Sequence, residues 1–587
     1  MMFHFRFVRI FWPALVVVVL LSIGVGGVPF ALVLATLVGV LHILVNSFIE
    51  LRQRRYSLDY IAFVALIVSI VSGQYLAGAV VALMFTGGRG LEAFASQRAY
   101  AALKSLGDAI PKRVLVWRDG SYQEVAVQHI QAGERILIKA NELVPLDGIL
   151  VSEAGTFNLA NLTGEILPAD FKKGTFIKSG LVNTGTTVEI RVVGDFSSST
   201  YHKIVELVAD ARAHPARLVR VSERANIYFT IITFVFVVLA YLIDGSVVRL
   251  LAVLVIATPC PLIIAAPVAF LGGMSRAARA GIIVRRPAAF EGLDAADAIF
   301  FDKTGTLTIG EPTLSLVTPY GSLSETDVLK IAAAIEIHSL HPLARATVHA
   351  ATHRGITFPI ATDVTETIGR GISGVVDGTR YTIIGCAHTH HGIALELRSS
   401  ETICAHFYFA DTLKHGAADF LKNLLEQGIR TEIITGDTKE NAAAVFAGIP
   451  VTIRAETSPE EKYRRVEQAH AAGQIVVMIG DGLNDAPALA RADVGVVFSG
   501  GENGASITAA DVVVLHHHIE KISELFATAH RTVRIARQSM YGGIALSAIG
   551  MAFAAFGFIA PVTGALLQEI IDVVVIVNAL RALSARF

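Results

Sequence analysis

Ile299-Phe300-Phe301-Asp302-Lys303-Thr304-Gly305-Thr306-Leu307-Thr308 is an apolar run that closes on a carboxylate, a lysine and a glycine turn. It reads as a buried strand that delivers Asp302 to the edge of a sheet. A carboxylate so placed can attack a phosphoryl group and form an acyl phosphate. The small residues after it let backbone N–H groups approach phosphate oxygens. An aspartate at the end of one strand is commonly an ordinary turn residue, so the weight rests on what other strand ends carry. Thr435-Gly436-Asp437 follows the run EIIT and offers a hydroxyl and backbone N–H groups. Gly480-Asp481-Gly482-Leu483-Asn484-Asp485 follows QIVVMI and offers carboxylates. Oxygens crowded beside a phosphorylated Asp302 call for a hard cation, and magnesium suits one or two carboxylates plus phosphate. Lys462, on a predicted helix between the last two motifs, can neutralise the transferred group.

The strand runs AIFF, TEIITG, QIVVMIG and DVGVVF alternate with helical segments through residues 276–537. Such alternation predicts a parallel, doubly wound sheet with function at the carboxyl ends of its strands. Residues 313–405 lack those strand ends and read as a domain inserted into it, leaving 276–312 and 406–537 as the two parts of the sheet domain. A second soluble stretch, 92–220, opens with a helix and continues as the short strands RVLVW, ERILIKA, GILVS and TVEIRVV, a small β-rich domain.

Between and around these stretches the chain is apolar. Of its 587 residues 53% are hydrophobic and 17% charged, against roughly 25% charged in soluble domains. The mean hydropathy is +0.57, which excludes a wholly soluble enzyme. Runs of the length a bilayer demands lie near 9–27, 29–49, 57–73, 75–91, 226–244, 247–270, 538–558 and 561–580. Grouped, they give membrane helices over 1–91, 221–275 and 538–587. No A-x-A-like cleavage site follows the first run, which is read as a retained helix rather than a signal peptide. Arginines and lysines, among them Arg6, Arg52, Arg98, Arg276, Arg285, Arg534 and Arg581, flank one set of ends; the other set is nearly uncharged. The positive-inside rule then puts both termini and both soluble stretches in the cytoplasm. A net charge of −1 gives no reason to expect nucleic acid as a partner. Cys260, Cys386 and Cys404 form no CxxC pair, so neither a disulfide framework nor a cysteine-type zinc module is available.

DKTGT, TGD and GDGLNDAPAL, in this order, resemble the P-type ATPases, and Leu162-Thr163-Gly164-Glu165 resembles their actuator loop. The resemblance covers essentially the whole chain. It implies an eight-helix membrane domain, a β-rich actuator domain, and an α/β haloacid-dehalogenase-like phosphorylation domain with an inserted α+β nucleotide-binding domain. By it Asp302 is the phosphorylated nucleophile, and Thr435, Lys462, Asn484 and Asp485 surround the phosphate. Magnesium would sit on Asp302, the Thr304 carbonyl and Asp481, and Glu165 would orient the water that removes the phosphoryl group. His338-Ser339-Leu340-His341-Pro342-Leu343-Ala344 is similar to a segment of the heavy-metal-transporting members, where Glu336, His341, Gly369 and Gly371 would line the adenine pocket of bound ATP.

The sixth apolar run contains Thr258-Pro259-Cys260, a variant of the Cys-Pro-Cys motif of that subfamily. Proline inside a membrane helix frees carbonyls, and a thiolate beside it can grip a transition metal. The last run carries Glu569 and Asp572. Carboxylates within a span are costly and usually functional. One thiolate with carboxylates suits zinc, cobalt, nickel, ferrous iron or cadmium better than cuprous ion, which prefers soft sulfur. The expected partners are therefore a transition metal ion and the lipid bilayer. Arg52, Arg54 and Arg55 leave room for a metal-donor protein, while the stretch before the first run is too short for a separate N-terminal metal-binding domain. The histidines His388, His390 and His391, and the run His516-His517-His518, read as solvated loop residues. Two other classes compete with an ATP-driven metal exporter of the cytoplasmic membrane: a membrane-anchored haloacid-dehalogenase-type phosphatase, and a pump for a hard cation such as potassium.

Overall fold

The run ahead of Asp302 forms the strand Ala298–Asp302, and all five of its residues are buried. Full burial on both faces is what a central parallel strand requires, and it explains an unbroken apolar run where an exposed sheet would alternate. In the computed structural model, residues 2–52, 60–108, 111, 113–158, 168–196, 199, 217–257, 260–367, 371–386, 393–400, 402–480, 485–498 and 509–584 are described. The chain divides into two units, one of residues 1–157, 170–294 and 526–587, the other of residues 158–169 and 295–525.

In the second unit Ala298–Asp302 lies between Arg430–Ile434 and Val476–Gly480. Thr452–Arg454 continues the sheet on one side, Val494–Phe498 and Val512–Val514 on the other, all parallel. The register sets Asp302 opposite Ile434 and Phe301 opposite Ile479, so Thr435 and Gly480 emerge at the same sheet end as Asp302.

The chain leaves this sheet along the strand Thr308–Pro319 and returns along Thr402–Leu413, which pair antiparallel. They border a six-stranded sheet that continues through Ile393–Ser399, Thr379–Cys386, Gly371–Val376 and Thr362–Thr367. The helices Glu325–Glu336 and Pro342–His353 cover one face, where Val328, Leu329, Ala332 and Ile335 meet Ile372, Ile383, Leu397 and Phe407 in one core. Ser324 opens the first helix in a reciprocal capping box with Asp327.

The first unit contains a six-stranded sheet in the order Ser121–Ala126, Arg113–Arg118, Arg135–Ile138, Val188–Val192, Gly148–Leu150, Phe176–Ile177. Its long helices are Met2–Val25, Pro29–Arg52, Tyr75–Asp108, Arg217–Asp244, Cys260–Arg279 and Pro561–Leu580. Small residues let them approach closely. A Cβ on Gly39 would stand 2.6 Å from that of Ala82. Among the described residues one stretch, Pro561–Leu583, is both long and apolar enough to cross a membrane; shorter apolar helical segments include Trp12–Val25, Pro29–Val45 and Phe229–Asp244.

Two helices outrun the apolar runs that announce them. Tyr75–Asp108 has 34 residues and Glu520–Ala555 has 36, because no proline or capping signal stops them where the hydrophobic stretch ends. The run 247–270, expected as one span, is instead two helices. Val247–Ile256 closes at Ala257, and Cys260 begins the next. A proline in this run has no N–H to give a helical ladder.

Candidate active site

Asp302 is 8% exposed and its Oδ1 accepts a hydrogen bond from Lys462 Nζ. The same ammonium reaches Asp485 Oδ1 at 2.8 Å. Lys462 stands on the helix Pro459–Ala471, fixed at its start by Ser458, which accepts from Glu461 N while the Glu461 carboxylate accepts from Ser458 N. Burial works to lower the Lys462 pKa, but the charges of Asp302 and Asp485 outweigh it and hold the pKa above the ordinary lysine value. A buried cation shared by two carboxylates is held in place by the cost of leaving either charge unpaired.

Lys303 turns the other way. Its Nζ meets Asp411 Oδ2 at 2.9 Å and Asp437 Oδ2 at 2.7 Å. Thr308 Oγ1 also donates to Asp411, at 2.6 Å, which ties the returning strand of the inserted sheet to the loop after Asp302. Desolvation opposes the charge on Lys303, and the two aspartates more than offset it, raising the pKa. Gly305 takes φ +72°, and the Thr306 hydroxyl is buried without a hydrogen-bond partner among the described residues. Lys414 Nζ donates to the Gly305 carbonyl. Thr435 is buried at the neighbouring strand end and its hydroxyl accepts from Asp437 N at 3.1 Å. These loops together offer an attacking carboxylate, an ammonium beside it, and hydroxyl and amide groups for phosphate oxygens.

A second group of side chains lies in the inserted domain. Glu336 closes its helix at 4% exposure. Burial, helped by the Glu366 carboxylate, pushes its pKa up to about 7. Ser339 Oγ donates to Glu366 Oε1 at 2.6 Å and accepts from His341 N at 3.1 Å. His341 caps the next helix, its Nδ1 accepting from Leu343 N at 3.3 Å, which leaves Nε2 to carry the ring proton. Gly371 has φ +129°, and a Cβ there would collide with the Ile383 carbonyl.

In the helix Pro561–Leu580, Gln568 is fully buried, receives the Ser547 hydroxyl proton at 3.3 Å and donates to Asp572 Oδ1 at 2.9 Å. Glu569 Oε1 is buried without a partner among the described residues.

The structure thus brings Asp302, Lys462 and Asp485 into contact and sets Thr304 and Thr435 at the same strand ends. Glu336 and His341 join Glu366 in the inserted domain. Glu165, Gly369, Asp481, Asn484, Thr258 and the histidines of 388–391 lie outside the described residues, as does the Cys260 side chain. His516 corrects the reading of its run as solvated: it is buried, while the exposed His517 stacks on Phe498 with centroids 5.8 Å apart. A flanking valine strand, Val512–Val514, draws the run against the sheet. Asp411 escaped the sequence reading. Its one signal is the Asp411-Thr412-Leu413-Lys414 punctuation after the apolar run Phe407–Ala410.

Residues 296–493 match the haloacid dehalogenase-like hydrolase family, and residues 108–209 match the P-type ATPase actuator domain. A silver exporting P-type ATPase of Salmonella typhimurium is 31% identical over 88% of this chain and 67% of its own length. A zinc-transporting ATPase of Synechocystis sp. is 30% identical over 86% of this chain and 74% of its own. A zinc/cadmium/lead-transporting P-type ATPase of Shigella sonnei is 29% identical over 98% and 82%. A crystal structure of a zinc-transporting PIB-type ATPase in the E2.Pi state aligns with 98% of this chain at a TM-score of 0.65 and 27% identity. With relatives 31% and 30% identical over most of its length, and a solved structure that aligns with 98% of it, this chain belongs to the heavy-metal-transporting P-type ATPases.

Proposed function

We propose that the protein exports a divalent transition metal ion across the cytoplasmic membrane through a phosphorylated Asp302. Family membership makes it an ATP hydrolase and ion translocase embedded in the cell membrane; the residues and the ion are our reading. The observation that carries it is the buried chain Asp302–Lys462–Asp485 at the carboxyl end of the central strand.

An Asp302 oxygen attacks the γ-phosphorus of ATP, the bond to the β-phosphate oxygen breaks, and ADP leaves. Lys462 stands where charge builds on the transferred group, and Thr435 and the loop 303–307 supply hydroxyl and amide donors. Water, oriented by Glu165, then attacks the phosphorus and regenerates the Asp302 carboxylate with release of phosphate. Glu336, His341, Gly369, Gly371 and Asn484 are the groups we assign to the nucleotide. The unsatisfied Thr306 hydroxyl and the oxygen-rich strand ends fit a magnesium phosphate, with Asp302, the Thr304 carbonyl and Asp481 to hold the ion. When bound, magnesium neutralises phosphate charge.

For the cargo we assign Cys260, Glu569 and Asp572. A Glu569 oxygen buried on an apolar helix with no hydrogen-bond partner among the described residues supports a cation there, since such a group otherwise loses its hydration for nothing. Eight spans with both termini in the cytoplasm, and domains divided at 91, 220, 275, 312, 405 and 537, complete the reading. The test is ATP hydrolysis by the purified protein in lipid vesicles over a panel of metals. Divalent ions should stimulate it, and Cys260→Ala and Asp572→Asn should each abolish the stimulation while phosphorylation from inorganic phosphate survives. Stimulation by cuprous ion alone, or a fully active Cys260→Ala protein, would refute the assignment.

A further inference from the structure

Among the described residues, the helices Glu325–Glu336 and Pro342–His353 pack on one face of the inserted sheet. Successive residues of a strand point to opposite faces. Ile383, Leu397, Ala405 and Phe407 enter the helix-covered core. Ile384, Glu396 and His406 stand directly opposite one another across three strands on the other face, with Cys386 two residues along from Ile384, opposite Ala394. Three chemically different metal-ligating groups therefore share a face: the Cys386 thiol, the Glu396 carboxylate and a His406 ring nitrogen. Their ligand atoms all lie within 4.8 Å of one another.

Glu396 is only 5% exposed, so its charge demands partners. Arg398 Nε donates to its Oε1. Oε2 faces His406 Nε2 at 3.4 Å. That is long for a charge-assisted hydrogen bond, which runs about 2.7–2.9 Å. It equals the edge of a tetrahedral shell built with bonds of about 2.0–2.1 Å, which comes to about 3.3–3.4 Å. The imidazole is also oriented from behind: its Nδ1 lies 3.1 Å from the Tyr320 hydroxyl and 3.4 Å from that of Tyr408. With Nε2 given to a metal, Nδ1 carries the proton and donates to a tyrosine oxygen, the outer contact that ligating histidines characteristically make. Arg398 does the same for the carboxylate.

We propose that Cys386, Glu396 and His406 form a binding site for a divalent transition metal ion, of zinc or cobalt type, on the face of the inserted sheet opposite those two helices. One thiolate, one imidazole nitrogen and one carboxylate oxygen make three ligands of a tetrahedral shell and leave the fourth position to water. Mixed sulfur, nitrogen and oxygen donors exclude magnesium and calcium, which take oxygen alone. The site lies in the inserted domain and owes nothing to Cys260, Glu569 or Asp572, so it stands or falls apart from the cargo assignment.

The experiment uses the full chain in detergent with Cys260→Ser, which leaves Cys386 and Cys404 as its thiols, and cobalt(II) as the probe. A thiolate-to-cobalt charge-transfer absorption should grow to one cobalt per chain and disappear when zinc is added. It should be absent once Cys386→Ser is introduced and unchanged by Cys404→Ser. His406→Ala and Glu396→Gln should each weaken cobalt binding at least tenfold, as losing even an outer contact costs about 10–100-fold. Cys386 is half-buried and serine nearly matches it in size, so that variant keeps the sheet even if a change at Glu396 disturbs it; an unaltered thermal unfolding midpoint identifies folded protein. No charge-transfer absorption in the Cys260→Ser chain, or an absorption that survives Cys386→Ser, would overturn the site.

Discussion

Lys462 is the residue on which the site's electrostatics turn. Its ammonium separates two buried carboxylates contributed from distant parts of the chain, Asp302 being 160 residues away in sequence and Asp485 23. Without it, two like charges face each other in a site with little water, and the phosphoryl group would arrive among uncompensated anions. We expect Lys462→Ala to lower the rate of phosphoenzyme formation by about 10²–10³, the usual effect of removing one preorganised charge-stabilising donor. Labelling with γ-phosphate-labelled ATP measures it, with Asp302→Asn as the blank; an unchanged rate would remove Lys462 from the chemistry. Glu336 supplies a pH prediction. Burial and Glu366 raise its pKa from the ordinary carboxylate value to about 7. Between that ordinary value and 7 the folded state holds a proton the unfolded state has released, so stability falls as pH rises through this window and the loss is complete above 7. Glu336→Gln cannot ionise and should flatten that slope, by on the order of 1–3 kcal/mol across the window. Hydrogen exchange in the helix Glu325–Glu336, compared between the two proteins at each pH, reads the difference. Equal slopes would contradict the burial argument.

Helix ends and strand ends do the positioning at the next scale. The strand Ala298–Asp302 needs apolar residues throughout because it is covered on both sides, and it can expose chemistry only where it stops. Lys462 reaches that point because Ser458 fixes where its helix begins, and Pro459 occupies the first turn, where a missing N–H is harmless. We expect Ser458→Ala to cost about 1 kcal/mol, as removal of an N-cap hydroxyl does. The loss should appear as faster hydrogen exchange in the first turn of Pro459–Ala471 and a reduced phosphoenzyme level; protection unchanged in that turn would show the cap to be idle. The break between Ile256 and Cys260 is likewise an element-scale fact. A continuous helix would satisfy its own carbonyls, whereas one interrupted at proline leaves oxygen atoms for another use.

At the scale of the whole molecule the question is how the phosphorylation we propose at Asp302 is coupled to an ion. If Glu165 orients the water that removes it, phosphorylation and dephosphorylation need different arrangements of the chain, and alternation between them can drive transport. We expect Glu165→Gln to form phosphoenzyme at the normal level and to lose it at least tenfold more slowly in a chase with unlabelled ATP. Normal decay would take Glu165 out of this role. Two soluble stretches fed by apolar helices also explain the composition: a charged fraction of 17% is an average over regions in contact with lipid and regions in contact with water.

The strand that ends on Asp302 and the alternation that makes the sheet parallel were legible in sequence because each depends on local pattern: an apolar run, a carboxylate, a glycine turn. The order of the strands around it was not, because it is set by pairing between distant segments. Asp411 was not legible. It meets Lys303 across 108 residues, and only the return of the inserted sheet to the main one brings them together. The metal triad was hidden for the same reason. Cys386, Glu396 and His406 follow no ligand spacing along the chain, and only antiparallel register places them on one face. Local sequence determines which residues end a strand or begin a helix, because propensity and capping act over a few residues. Which charges then face one another was decided by tertiary structure, because burial makes each seek a partner wherever the fold supplies one.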